Sequence, residues 1–301
     1  MRNIFCETLQ AASTQKDFVF LTGDLGYKAL EPLRESLGPR FINAGVAEQN
    51  MVGVAAGLAR AGLRPWVYSI APFVYTRPFE QIRNDICFQR LPVVLVGNGG
   101  GYAYGVMGPT HHALEDYGTL TSLPNLRAYV PAFDRDIPWL VDHLFQIDHP
   151  AYLRLGVSEV GTEQNPPPFA SWRCLQKGSG WVILATGPLA GGIWQATRGL
   201  EESRRPTIWL LSEIPILDLP PAFLEDLELS NRLLVIEEHV SQGGIGREVA
   251  TKLLEQRVSP VRFVCRTALG YPSGRYGSQK FHRQECGLDP ASIVALISEI
   301  D

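Results

Sequence analysis

Residues 65–101 read "PWVYSIAPFVYTRPFEQIRNDICFQRLPVVLVGNGGG". "PWVYSI" and "LPVVLVG" are short continuous apolar runs, the pattern of strands buried on both faces. An aromatic-rich span separates them, and the second run ends in a glycine loop. The pattern repeats outward. "DFVFLTGD" (17–24), "LRAYVPAFD" (126–134) and "PAYLRLG" (150–156) read as further strands, and "DRDIPWLVDHLFQI" (134–147) as a helix capped by Asp134. Such alternation predicts a mainly parallel sheet with helices on both faces. Residues 158–178 interrupt it with three consecutive prolines, which suit neither a helix interior nor a central strand, and read as a linker. Strands then resume at "GWVILATG", "PTIWLLS", "RLLVIEEH" and "SPVRFVCR", interleaved with helices. The last helix has Asp289 as its cap and Pro290 at its first position. The expected architecture is α/β, with two doubly wound domains at 1–157 and 179–301.

Composition narrows the function. The 301 residues are 45% hydrophobic and 19% charged, with a net charge of -4 and no basic block, which argues against nucleic acid as a partner. No apolar run reaches ~18 residues, so no membrane span is expected. The first residues read as an amphipathic helix without a signal peptide. Five scattered cysteines fit reduced thiols, hence a cytoplasmic protein without a zinc site or disulfide frame.

Three stretches carry candidate chemistry. In "NAGVAEQNMVGVAAGLARAG" (43–62), Glu48 opens a helix of small residues, with Gly53 and Gly57 on one face where another backbone can approach. An acid in a first turn also complements the helix dipole, worth ~0.3–1 kcal/mol without any catalysis. In "GGGYAYGVMGPTHHALED" (99–116), the glycines allow unusual backbone angles and close approach to a ligand. Thr110 is the expected cap of a helix beginning near His111, whose positive end would keep that imidazole neutral. A neutral imidazole both donates and accepts, which suits a hydroxyl or carbonyl; a loop histidine with a local bond is the plainer reading. Phe73, Tyr75 and Phe79 crowd a strand end, either as core or as a platform for a flat heterocycle. "GGIGRE" matches only part of a dinucleotide turn, and no Asp/Asn cluster marks a magnesium site.

Together "GVAEQNMVGVAAGLA", "FEQIRNDICFQRLPVVLVG", "GPTHHALEDYGTLTSLPNLRAYVPAFD" and "VIEEHVSQGGIG" resemble the C-terminal half of transketolases over nearly the whole chain. The same order occurs in deoxyxylulose-phosphate synthases and in the beta subunits of 2-oxoacid dehydrogenases, all dependent on thiamine diphosphate. The resemblance implies a pyrimidine-binding domain followed by a transketolase C-terminal domain. The family's other half binds the diphosphate through a metal ion, Mg2+ or Ca2+, with a G-D-G…N-N motif. Here "GDLG" (23–26) is not followed by the Asn pair. The resemblance therefore implies a separate partner polypeptide, an α2β2 heterotetramer with a homodimeric core, and no metal ligand in this chain.

By the same resemblance Glu48 bonds N1′ of the aminopyrimidine, favouring the imino form that deprotonates the thiazolium. Dry surroundings would favour a proton on this acid, while the helix terminus pulls the other way. Phe73 would stack on the ring, with Tyr75 as second choice and Phe79 flanking, and Asp24 would lie near the cofactor. His111 would contact substrate hydroxyls, with His112 beside it where many relatives have Gln. Arg154 matches a phosphate-binding arginine, whose plainer reading is a strand-end surface arginine. Two departures stand out. Met107 replaces an Asp before Gly-Pro-Thr-His, and Gly99 a phosphate-binding His. A methionine cannot bond a sugar hydroxyl as a carboxylate does, which favours a less polar or non-phosphorylated acceptor. The implied activity is two-carbon ketol transfer. The alternatives are the beta subunit of a 2-oxoacid dehydrogenase or decarboxylase, a deoxyxylulose-phosphate-synthase-like enzyme, and a non-catalytic scaffold or regulatory subunit.

Overall fold

The computed structural model describes residues 1–26, 29–159 and 165–299. Among these the chain lays down twelve strands: β1 (Phe18–Thr22), β2 (Phe41–Asn43), β3 (Arg64–Ile70), β4 (Val94–Asn98), β5 (Arg127–Tyr129), β6 (Ala151–Leu155), β7 (Trp172–Gln176), β8 (Val182–Thr186), β9 (Thr207–Leu211), β10 (Glu213–Ile214), β11 (Arg232–Ile236) and β12 (Arg262–Arg266). They form a seven-stranded sheet, ordered β10-β5-β6-β4-β3-β1-β2, and a five-stranded sheet, ordered β12-β11-β8-β9-β7. Pairing is parallel except where β10 meets β5 and β7 meets β9. The two-faced apolar runs explain the parallel core: β1, β6, β8 and β9 are buried along their whole length.

Two features depart from the sequence reading. The span read as a linker contains β7, an antiparallel edge strand, where "WRCLQ" alternates partly and fully buried residues; residues 160–164 of that span lie outside the described residues. In addition, β10 leaves the second sheet's β9 and adds an edge strand to the first sheet, pairing Glu213 with Tyr129. The two sheets thus exchange chain, and buried ions fasten them. Arg173 of β7 donates to both carboxylate oxygens of Asp136 at 2.6 and 2.8 Å, and all but a few per cent of both residues is buried. The expected cap at Asp134 does not form. The helix starts at Asp136, whose Oδ2 accepts from the Ala132 and Phe133 amides, while Asp134 pairs with the Met1 amine. Asp289 does cap its helix, accepting from Ala291 and Ser292 at 3.1 and 3.2 Å.

Candidate active site

In open parallel sheets, ligands bind beyond the carboxyl ends of the strands, and the chain places four of the candidates there. Asp24 follows β1, Glu48 follows β2, Phe73 follows β3 and His111 follows β4. Glu48 begins the helix Glu48–Arg60, whose Met51, Val52, Ala55, Ala56 and Ala59 are buried. This inward face draws Glu48 in until only 5% of it is exposed. A Cβ added at Gly53 or Gly57 would meet nothing within 4 Å, so the opposite face is open.

Phe73 lies in the short helix Ala71–Thr76, and Arg77 follows four residues later on the same side. The Arg77 guanidinium lies 3.9 Å from the Phe73 ring centroid and donates to Glu48 Oε1 at 2.7 Å. A flat N–C–N donor is thus held against an aromatic face with an acid at its edge. The His111 ring meets Phe73 at 5.3 Å between centroids and Tyr104 at 5.6 Å. Tyr104 accepts a bond from Asn98 at 2.8 Å. Glu48, Arg77, Phe73 and His111 therefore form one continuous string. Arg77 and Tyr104 were not singled out by the sequence reading. The four-residue spacing from Phe73 was the available signal for Arg77.

The remaining expected residues lie outside this string. Tyr75 turns into the core because a helix sends residues two apart to different sides; it is 4% exposed and donates to Glu115 at 3.3 Å. Phe79 is half-buried against the same core. Asp24 is exposed, its amide bonded to the Gly45 carbonyl. Met107 is 53% exposed on the turn before His111. That turn, Gly105–Thr110, is a 3-10 stretch broken at Gly108 (φ 71°), and the next helix begins only at Asp116. His111 therefore follows the carboxyl end of the 3-10 stretch and begins no helix. Thr110 does not cap one, and its hydroxyl bonds His111 Nδ1 instead at 2.9 Å.

His112 faces the second sheet. Its Nε2 donates to the Gly105 carbonyl and its Nδ1 accepts from Tyr271, both at 2.8 Å. Arg154 is no surface residue: it is 4% exposed and donates to Asp116 at 2.7 Å, to the Ala113 carbonyl at 2.9 Å and to the Glu238 carbonyl at 3.0 Å. These contacts also explain the glycine loop. A Cβ on Gly100 would lie 2.3 Å from Arg154 Nε, and one on Gly101 2.4 Å from Glu238 Oε1, so buried side chains rather than a ligand require these glycines. Gly99 (φ 78°) presses on Tyr104 in the same way. The "GGIG" turn is likewise occupied, because Glu237 accepts from the Ile245 and Gly246 amides and from Tyr117. No dinucleotide phosphate fits where that carboxylate sits.

Burial pushes the pKa of both His112 and His239 down from 6.5 to about 4. His239 is fully buried, stacked on Tyr117 at 3.9 Å. Between pH 4 and 6.5 the unfolded chain binds more protons at these positions, so stability is lost as pH falls through that window. Each histidine is expected to contribute about 1–2 kcal/mol of loss by about pH 5. Urea midpoints at neutral and acidic pH measure it, and His239→Gln should flatten the difference.

Known proteins share this chain's sequence and fold. Residues 1–162 match the family model described as "Transketolase, pyrimidine binding domain". The chain is 32% identical over 270 residues to an apulose-4-phosphate transketolase subunit of Phocaeicola vulgatus, across 87% of this chain and 86% of that one. It is 33% identical to 1-deoxy-D-xylulose-5-phosphate synthase 2 of Geobacter sulfurreducens, across 86% of this chain but 42% of that protein. Among solved structures, one described as "Split gene transketolase, inactive beta4 tetramer" superposes with TM-score 0.81 at 29% identity, covering 98% of this chain and 96% of that one. The transketolase of Campylobacter jejuni superposes with TM-score 0.77 at 18% identity, covering 98% and 46%, and so speaks to the fold alone.

Proposed function

This chain belongs to the transketolase pyrimidine-binding-domain family, and we propose that it is the pyrimidine-side component of a two-component thiamine-diphosphate enzyme that transfers a two-carbon ketol unit. One observation carries the reading: an acid and an aromatic face already hold a planar nitrogen donor between them, in Arg77. The edge of an aminopyrimidine has the same flat N–C–N shape, so the residues fit the group. Glu48 would hold the ring nitrogen and exchange a proton there, and Phe73 would stack beneath it. Thiamine diphosphate, when bound, supplies a nucleophilic carbon that adds to a carbonyl. His111, beside Phe73 and half-exposed, would orient substrate hydroxyls through its ring nitrogens. Arg154 would not anchor a substrate phosphate, being held by Asp116 and two carbonyls.

The diphosphate and its metal ion, Mg2+ or Ca2+, would be held by a separate polypeptide carrying G-D-G…N-N, and the active form would be an α2β2 heterotetramer. Two things support this: the motif is missing from the sequence, and the matches with one component of an apulose-4-phosphate transketolase and with a split-gene chain run nearly end to end. The open Gly53/Gly57 face offers a surface for close packing between chains.

A second reading, decarboxylation of a 2-oxoacid, draws on the similarity to deoxyxylulose-phosphate synthase. The assembled pair should be given a ketose with an aldehyde acceptor and, separately, a 2-oxoacid. Two-carbon transfer without carbon dioxide is the expected result, and carbon dioxide release would favour the second reading. If the partner turned over normally without this chain, a scaffold role would replace both. Phe73→Ala is expected to weaken thiamine diphosphate binding by about tenfold, the value of one stacked ring pair, as measured by titration of the assembled pair.

A further inference from the structure

Resting on the reading of Glu48 and Phe73 as the pyrimidine site, we propose that Arg77 is a positioning residue: its guanidinium stands in for the aminopyrimidine ring until the cofactor displaces it. Its hydrogen bond to Glu48 Oε1 and its seat 3.9 Å over Phe73 meet the same two groups that would hold the ring. A ring seated on that face of Phe73 and bonded to that oxygen of Glu48 would have to take the place of the guanidinium. A single guanidinium facing them keeps the slot formed and satisfies an acid that is only 5% exposed, which would otherwise be a bare charge in the chain.

The release route is visible. The Arg77 side chain is 41% exposed, and it has no other hydrogen-bond or ion-pair partner among the described residues. It can swing into solvent by rotation about its own torsions, without moving the backbone of either helix. Flat shape and charge both matter here. A lysine would keep the ion pair but could not lie face-on to the Phe73 ring as a guanidinium does.

Prior occupation lowers apparent affinity by the fraction of molecules whose site is open. One partly exposed ion pair and one cation–π contact together correspond to roughly tenfold. The test is a titration of thiamine diphosphate with Mg2+ into the assembled pair, followed by protein fluorescence. Arg77→Met, which keeps the side chain's length but removes charge and donors, should bind about tenfold tighter, with Arg77→Lys in between. Unchanged or weaker binding by Arg77→Met overturns the proposal, since the arginine would then be a bystander or a cofactor ligand.

NMR of selectively labelled arginine in the same complex gives a second readout. The Arg77 side chain should carry a ring-current shift from Phe73 that disappears when the cofactor is added. A shift that persists with the cofactor bound also overturns the proposal. Glu48→Gln and Phe73→Ala, titrated in parallel, separate this failure from that of the underlying reading. If neither weakens cofactor binding, the pyrimidine site lies elsewhere. If both do while Arg77→Met changes nothing, only the stand-in role is wrong.

Discussion

Replacing Glu48 by glutamine is expected to lower turnover of the assembled enzyme by about two to four orders of magnitude, the usual contribution of a positioned proton donor and acceptor, while the chain stays folded. Glutamine has the same shape and volume, so the packing of Met51, Val52 and Ala55 behind it is undisturbed. Its amide oxygen can still accept from Arg77, but it cannot deliver a proton to a ring nitrogen. The ion pair lost is between a buried acid and an arginine that is 41% exposed, which costs at most about 1 kcal/mol. The two accounts of Glu48 therefore separate on turnover. Either account allows a stability loss of up to about 1 kcal/mol, so turnover is the discriminator: a helix-dipole role predicts it retained, the catalytic role predicts it lost. Initial rates of the reconstituted pair, with a urea midpoint on the same preparation, decide between them. Full-speed turnover by the glutamine variant would end the catalytic assignment.

The parts of this molecule that the sequence reveals are those set by local patterning. "DFVFLTGD", "LPVVLVG" and "GWVILATG" are buried on both faces, and such runs have few structural solutions other than a parallel strand. Asp289 before Pro290 states its own capping role. What the sequence hides is set by residues far away along the chain. Asp134 reads as a cap on paper, but the helix begins at Asp136, whose carboxylate is held by the Ala132 and Phe133 amides and by Arg173, 37 residues further on. The strand at Trp172–Gln176 follows three prolines and pairs only at an edge, so nothing local distinguishes it from a connector. Glu48 and Phe73 stand in short contiguous motifs, which is why the family resemblance can single them out. Arg77, which joins them, shows its meaning only when the two helices are brought together. The glycines at 100 and 101 suggest a ligand loop from sequence alone, whereas they accommodate Arg154 and Glu238.

Arg154 offers the sharpest contrast between a motif and its surroundings. By family pattern it is a phosphate anchor; by position it is the inner half of a buried ion pair. Its Nε meets Asp116 Oδ2 at 2.7 Å, Tyr152 donates to that same oxygen at 2.8 Å, and Asp116 is fully buried. Its Nη2 ties the Ala113 carbonyl of the first sheet's loop to the Glu238 carbonyl beyond β11. Arg154→Ala would leave Asp116 as an uncompensated charge in the interior and strand two carbonyls, an expected loss of about 3–5 kcal/mol. Since domains of this kind are stable by only about 5–15 kcal/mol, much of the fold's margin should go with it, visible as a large fall in urea midpoint. A phosphate anchor at the surface predicts something quite different: an unchanged midpoint, and a raised KM confined to phosphorylated substrates. The double replacement Arg154→Met with Asp116→Leu removes both charges together and should recover part of the stability, which no loss of a substrate contact could do. An Arg154→Ala chain with wild-type stability and a selective defect toward phosphorylated substrates would return this arginine to the active site.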